Sequence, residues 1–182
     1  MAAAGAALAV TAAATGCGGG SAAIVPPKPV PVQIVPSELP GTAGGPTLTV
    51  EEYKPGAQRI AAAGARSVVA DGRVWQIRRG TTLVAALQVS TVKPRVDLSR
   101  AKERDSLAAL VVSGSVQRIR ASGVEVISAR TSDKIVYLWF GDQLFEVLQI
   151  KGVGVDPEGM LTSILNFQKP SGQLRIHSRS GT

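Results

Sequence analysis

The chain has 182 residues, which suits one domain plus non-globular segments. Lys and Arg total 20 against 13 Asp and Glu, a formal charge of +7, and aromatics make up only 4%, so a core must rest on Val, Leu and Ile. One cysteine excludes an intramolecular disulfide, and with a single histidine, His177, the chain cannot supply the usual His/Cys zinc site. A Ser-His-acid triad would have to use His177, and no G-x-S-x-G motif accompanies it.

The first 21 residues read MAAAGAALAVTAAATGCGGGS. Residues 2–14 carry no charge, and such a run has the length of a signal-peptide core, about 7–15 residues. It is too short for a membrane span, which needs about 20 apolar residues. Ala14-Thr15-Gly16-Cys17 follows at once. These four residues and the run before them resemble the lipobox of bacterial lipoproteins. The resemblance implies cleavage between Gly16 and Cys17, acylation of the Cys17 thiol, and a place on the extracytoplasmic face of the cell membrane. Two or more acyl chains make a stable anchor where one is marginal. The same residues also read as an Ala/Gly-rich leader on a cytosolic protein. Ala14 stands where the lipobox prefers a larger aliphatic, and the first basic residue is Lys28.

Gly18-Gly19-Gly20-Ser21 then reads as a flexible leash. Residues 26–46 hold seven prolines, which remove backbone donors and fix φ, so this stretch is expected to be an extended spacer. If fully extended it reaches on the order of 60 Å. A ligand for a proline-binding domain is the other reading. The expected organisation is a signal peptide over 1–16, a lipid-anchored linker over 17–52 and one folded domain over 53–182.

Within that domain Asp71-Gly72 is a turn signal, and Val74 to Ile77 reads as a strand. Arg79-Gly80 makes another turn. From Thr82 to Val92 the pattern alternates, with Leu83, Ala85, Leu87 and Val89 on one face. After Pro94, Asp97 or Ser99 is placed to cap a helix over about Leu98 to Val112. Short strands are expected at Val116–Ile119 and Val124–Ala129. Ile135 to Phe140, Gly141-Asp142 and Leu144 to Ile150 then read as a hairpin, with Phe140 facing Gln143 and Leu138 facing Phe145 across a type II′ turn. Both of its faces are apolar, which predicts a central position in the sheet. Asp156-Pro157 opens a second helix, with Asp as cap and Pro at the first helical position. Met160, Leu161, Ile164 and Leu165 give it a buried stripe. Leu174 to Ile176 is a candidate edge strand.

Strands, a helix, strands and a second helix indicate an α+β fold: a mostly antiparallel sheet of about five to seven strands with two helices on one face. The order resembles the small α+β domains of exported lipoproteins from high-GC bacteria, and the sheet-and-helix class that includes PsbP-like domains. That resemblance lies in the pattern and assigns no residue a role.

Tyr137 and Trp139 are candidates for an exposed ligand platform, as aromatics are favoured at interfaces; the competing reading is core, as it is for Trp75. Arg78-Arg79, near Arg73, and Arg118 with Arg120 are basic clusters able to meet anionic lipid headgroups or wall polymers, or simply to solvate a strand face. Gly152 to Asp156 lacks the Lys-Ser/Thr of a phosphate loop. Asp97 and Asp156 are explained as caps, and Asp71 and Asp142 as turns, so with Asp105 the aspartates form no obvious acid-base pair. The sequence therefore points to a non-catalytic envelope module with no cofactor and no metal. Its partners would be the membrane through the anchor, and an envelope protein, anionic lipid or wall polymer. Nucleic acid is not expected, since no binding motif is present. A sensor or regulator of an envelope system is the alternative, and an enzyme with an unrecognised site the remote one.

Overall fold

The computed structural model describes residues 34–41, 45–53, 67–151 and 154–168. Eight strands and two helices follow in chain order: β1 (Glu38–Leu39), β2 (Leu48–Tyr53), β3 (Val69–Arg79), β4 (Thr82–Val92), α1 (Ala101–Val111), β5 (Ser115–Ala121), β6 (Val124–Arg130), β7 (Ile135–Phe140), β8 (Leu144–Ile150) and α2 (Pro157–Gln168). The strands form one sheet in the order β1-β2-β3-β4-β8-β7-β6-β5, with every neighbouring pair antiparallel.

The α+β class holds, but the sheet has eight strands rather than five to seven. The additional strands are β1 and β2, which lie in the stretch expected to be linker. Ile34, Val35, Leu39 and Leu48 are all buried, so the core extends N-terminal of residue 53. In β2 the pattern Leu48, Val50, Glu52 against Thr49, Glu51, Tyr53 alternates as a half-buried antiparallel strand should. The prolines nearby obscure that pattern in the sequence.

The expected placement of both helices on one face is wrong. Successive residues of a strand point to opposite sides of the sheet. Tyr137, Trp139 and Leu148 pack with Met160, Leu161, Ile164 and Leu165 of α2. Val136, Leu138, Phe140, Phe145 and Val147 pack with Leu107 and Ala108 of α1. The helices therefore cover opposite faces, and this is why both faces of the β7–β8 hairpin are apolar. α2 also touches both edge strands, β1 and β5. Eight strands laid flat would span roughly 34 Å, three times the width of a helix of about 10–12 Å. Contact with both edges means that the sheet curls around α2.

Local expectations fare unevenly. Asp156 caps α2 as expected, its Oδ1 accepting from the Gly159 N–H at 3.1 Å. A Cβ at Gly159 would lie 2.3 Å from Asp156 Oδ2, so the glycine makes room for that cap. α1 begins at Ala101, later than expected, and its N-cap Arg100 makes no side-chain capping bond. Asp97 instead accepts from the Ser99 N–H and hydroxyl, at 3.0 and 2.6 Å, in the turn before the helix. Asp71-Gly72 is not a turn: it lies within β3, just beyond a register irregularity between Val69 and Asp71. The Arg79-Gly80 turn is present, with Gly80 at φ 57°. A second irregularity sets Ile77 opposite Ala85 but Arg78 opposite Leu83, which turns Val84 into the core and leaves Leu83 47% exposed. In the β7–β8 hairpin Phe140 pairs with Phe145 rather than with Gln143, and the Gly141 N–H bonds the Leu144 carbonyl. The register is two residues from the expected one, which leaves every side chain on its expected face. Leu174 to Ile176 lies outside the described residues.

The registers also give the sheet two ends. The upper end carries the β3–β4 turn at Gly80, the β6–β7 loop at 131–134 and the start of α2. The lower end carries the β4–α1 loop, the β5–β6 turn at Ser122-Gly123 and the β7–β8 turn at Gly141-Asp142.

Candidate functional site

Tyr137 and Trp139 do not form an exposed platform. They are 4% and 0% exposed, adjacent along the inner face of β7 under α2. Burial raises the Tyr137 phenol above its ordinary pKa, and the nearby Glu158 adds to that. Trp75 is also buried, at the rim of the same face, with the Arg73 guanidinium carbon 5.8 Å from its ring centroid. Arg73 in turn pairs with Glu52 of β2, through Nε to Oε1 at 2.8 Å and a terminal nitrogen to Oε2 at 2.9 Å.

Arg78 and Arg79 are not a cluster, because neighbours on a strand diverge to opposite faces. Arg78 donates to Gln76 Oε1 and to the Thr81 carbonyl. Arg79 reaches across to the loop before α2 and donates to the Gly154 carbonyl at 2.6 Å. Arg118 and Arg120 do share a face of β5. Arg118 bridges Asp105 of α1 and Glu125 of β6, both at 2.5 Å, and those contacts raise its pKa. This ties the edge strand to the helix above it, so Asp105 has a structural partner. Beside the bridge a hollow of ≈ 10 Å³, room for about one water, is lined by Arg104, Arg118, Glu125, Ile127 and Phe140. Arg120 is exposed near the lower end.

The feature that sequence reasoning missed is Glu146. It points inward from β8, 1% exposed, opposite Trp139 on β7 and Val89 on β4. Its Oε2 accepts a 2.7 Å hydrogen bond from Gln168 Nε2, at the last residue of α2. The same amide nitrogen donates to the Ile34 carbonyl at 3.1 Å. Burial pushes the Glu146 carboxyl up to about 8; the Gln168 amide and, more weakly, the Trp139 indole restrain the rise. The indole Nε1 itself has no partner within hydrogen-bonding geometry among the described residues. One polar node thus joins β8, the end of α2 and the first described residue of the chain. The signal for it was an acid at an inward position in a strand apolar on both faces.

The α1 side of the sheet is divided. Its apolar cluster covers β6, β7 and β8 and reaches β4 only at Val92 and β3 only at the partly buried Val69. Over the rest of β2, β3 and β4 the same side presents Thr49, Glu51, Tyr53, Gln76, Arg78 and Gln88 together with the apolar Val74, Leu83 and Ala86, each exposed or half-buried.

Among the described residues no group of three or more His, Cys, Asp or Glu gathers as a metal site, and no helix is long and apolar enough to cross a membrane. Gly16, Cys17 and His177 lie outside the described residues. Comparison of the chain with family models, curated proteins and solved structures gives no match.

Proposed function

We propose that the chain is an exported lipoprotein, acylated at Cys17, whose folded domain is a non-catalytic binding module on the outer face of the cell membrane. The observation that carries this reading is the uncharged run over residues 2–14 ending in Ala14-Thr15-Gly16-Cys17, with the only cysteine of the chain at the lipobox position. The arrangement of the polar groups agrees with binding rather than with turnover. Arg78, Arg79 and Arg118 are engaged in hydrogen bonds that hold strands, loops and α1 together, and the shifted carboxyl of Glu146 lies within the core. The half-open α1 side offers a strand surface of mixed polar and apolar side chains for an envelope partner.

The test is intact mass and N-terminal peptide mass spectrometry on protein taken from its native membranes. A chain starting at Cys17 with added acyl mass is the expected result. A chain starting at Met1 with a free Cys17 thiol overturns the reading.

The node at Glu146 favours a second reading, a sensor of envelope conditions. It links a group that titrates near 8 to residue 34, beyond which the proline-rich stretch leads back to Cys17. Hydrogen exchange over residues 34–39 should speed up between about pH 6 and about pH 9 beyond the intrinsic rate in the native chain. An unchanged excess in Glu146→Gln removes this reading.

A further inference from the structure

The two edges of the sheet differ. β1 is two residues long and lies between Pro36 and Pro40, which carry no backbone donor, so it offers little to a further strand. β5, at the other edge, runs for seven residues with no proline, no glycine and no register shift against β6, its one neighbour in the sheet. The Ser122-Gly123 turn has φ of 50° and 83°, as a tight two-residue hairpin requires, and closes on the pair Ala121–Val124. Counting back from that hydrogen-bonded pair, Ser115, Gln117, Ile119 and Ala121 direct their N–H and C=O groups to β6, while Val116, Arg118 and Arg120 direct theirs away from the sheet. Among the described residues none of these outward groups takes part in a ladder or turn hydrogen bond.

The side chains along this edge define what would fit it. On the α1 side stand Val116, 52% exposed, then Arg118 and Arg120. α1, β5 and β6 together carry five Lys or Arg against three Asp or Glu. Arg118 takes both Asp105 and Glu125, and Arg104 donates to the Leu98 and Ser99 carbonyls. Arg104 and Arg120 are therefore left without a carboxylate partner among the described residues. On the α2 side Ile119 and Ala121 are half-buried and pack against the core beneath α2.

We infer that β5 is a strand-addition edge that takes an acidic, extended segment of a partner protein into the sheet. The inference rests on the reading of the domain as a binding module and is independent of acylation at Cys17. The backbone of the added strand bonds the outward N–H and C=O groups of Val116, Arg118 and Arg120, which supplies affinity, and its alternate side chains supply specificity. Its residues opposite Arg118 and Arg120 point to the α1 side, where a carboxylate meets a guanidinium. Those opposite Gln117 and Ile119 point to the α2 side, where an apolar side chain extends the core. A second copy of this chain fits worse. Antiparallel pairing of two β5 strands about their midpoint sets the central arginine of one opposite that of the other, and like charges directly opposite are destabilising.

The test uses the full chain carrying Cys17→Ser, which cannot be acylated, and as probe an end-blocked peptide of alternating glutamate and valine, matched to β5 in length. Amide hydrogen exchange is read residue by residue. In the free chain Gln117 and Ile119 should exchange slowly and Val116, Arg118 and Arg120 fast, and the peptide should protect the latter three. Val116→Pro removes an outward donor without breaking a bond to β6, and should weaken binding on the order of tenfold or more. Arg120→Glu, and a probe with lysine in place of glutamate, should each weaken it on the order of tenfold. Lys151→Glu, beyond β8, should change it little. Thermal melts of the same variants show whether the fold is retained. Slow exchange at Val116, Arg118 and Arg120 in the free chain means that the edge is already covered, and overturns the proposal. So do equal binding of the acidic and basic probes and binding indifferent to both Val116→Pro and Arg120→Glu. Acylated native protein whose Cys17→Ser form ignores the acidic probe leaves the lipoprotein standing and removes the strand-addition edge. An unacylated native chain whose Cys17→Ser form binds it does the reverse.

Discussion

Beneath α2 the sheet is apolar across its width, from Leu39 and Leu48 through Ile77, Leu87, Leu148 and Trp139 to Val126. On the α1 side the apolar cluster fills only the half built by β6, β7 and β8, and the rest is exposed or half-buried strand surface of mixed character. The difference follows from connection length and curvature. α2 lies within the curl of the sheet and contacts both edges. α1 crosses outside that curl between β4 and β5, and one helix of 11 residues cannot cover eight strands. One face thus carries the continuous core, while the other divides its area between an apolar cluster and open strand surface.

The largest test of this contrast is truncation in the inner core. Trp139→Ala should cost about 3–5 kcal/mol, read as a lower denaturant midpoint. Thr49→Ala, on the open half of the opposite side, should stay within about 0.5 kcal/mol. Similar costs at the two positions would mean that the α1 side carries more of the fold than its packing implies.

Next in size is the pH response of the inner face. The folded-state pKa of Glu146 lies above its unfolded value, so the stability contributed by the protonated group is complete below about pH 4.5 and is lost as pH rises through about 8. Across that window the native chain should lose up to about 1.4 kcal/mol per pH unit from this group. Thermal melts of Glu146→Gln should show a flatter dependence and a gain over the native chain at about pH 8. Parallel pH curves for the two proteins would remove Glu146 as the source.

Smaller effects are expected where the helices begin and at the rim. Asp156→Ala removes the α2 cap and should cost about 1 kcal/mol, while Asp97→Ala, which removes a turn bond before α1 and no cap, should cost less. Arg118→Gln opens a half-exposed ion-pair bridge and should cost about 0.2–1 kcal/mol, diminishing in high salt. A larger loss would make that bridge the main tie between α1 and the edge of the sheet.

Much of this was legible along the chain. The β7–β8 hairpin declares itself because each of its residues faces one of two cores, and both cores need apolar side chains. The Asp156-Pro157 start of α2 is legible because capping is decided within one turn of helix. β1 and β2 were hidden because a two-residue strand has no periodicity and β2 sits just after a proline-rich stretch. The basic pairs were misread for a simpler reason: a strand separates Arg78 from Arg79, and distant partners, Gly154 for Arg79 and Asp105 with Glu125 for Arg118, occupy two of the four candidate arginines.

By itself the sequence determined the local and the periodic: the strand and helix types, the α2 cap, the apolar faces of the central hairpin, the surplus of positive charge and the lipobox-like run that ends at Cys17. These rest on neighbours within a few residues, where backbone geometry and side-chain spacing act directly. Tertiary structure alone decided that the helices lie on opposite faces and that the Gln168 amide joins Glu146 to the Ile34 carbonyl. Each of these depends on strand order and on the curl of the sheet, which bring together residues as far apart as 34 and 168.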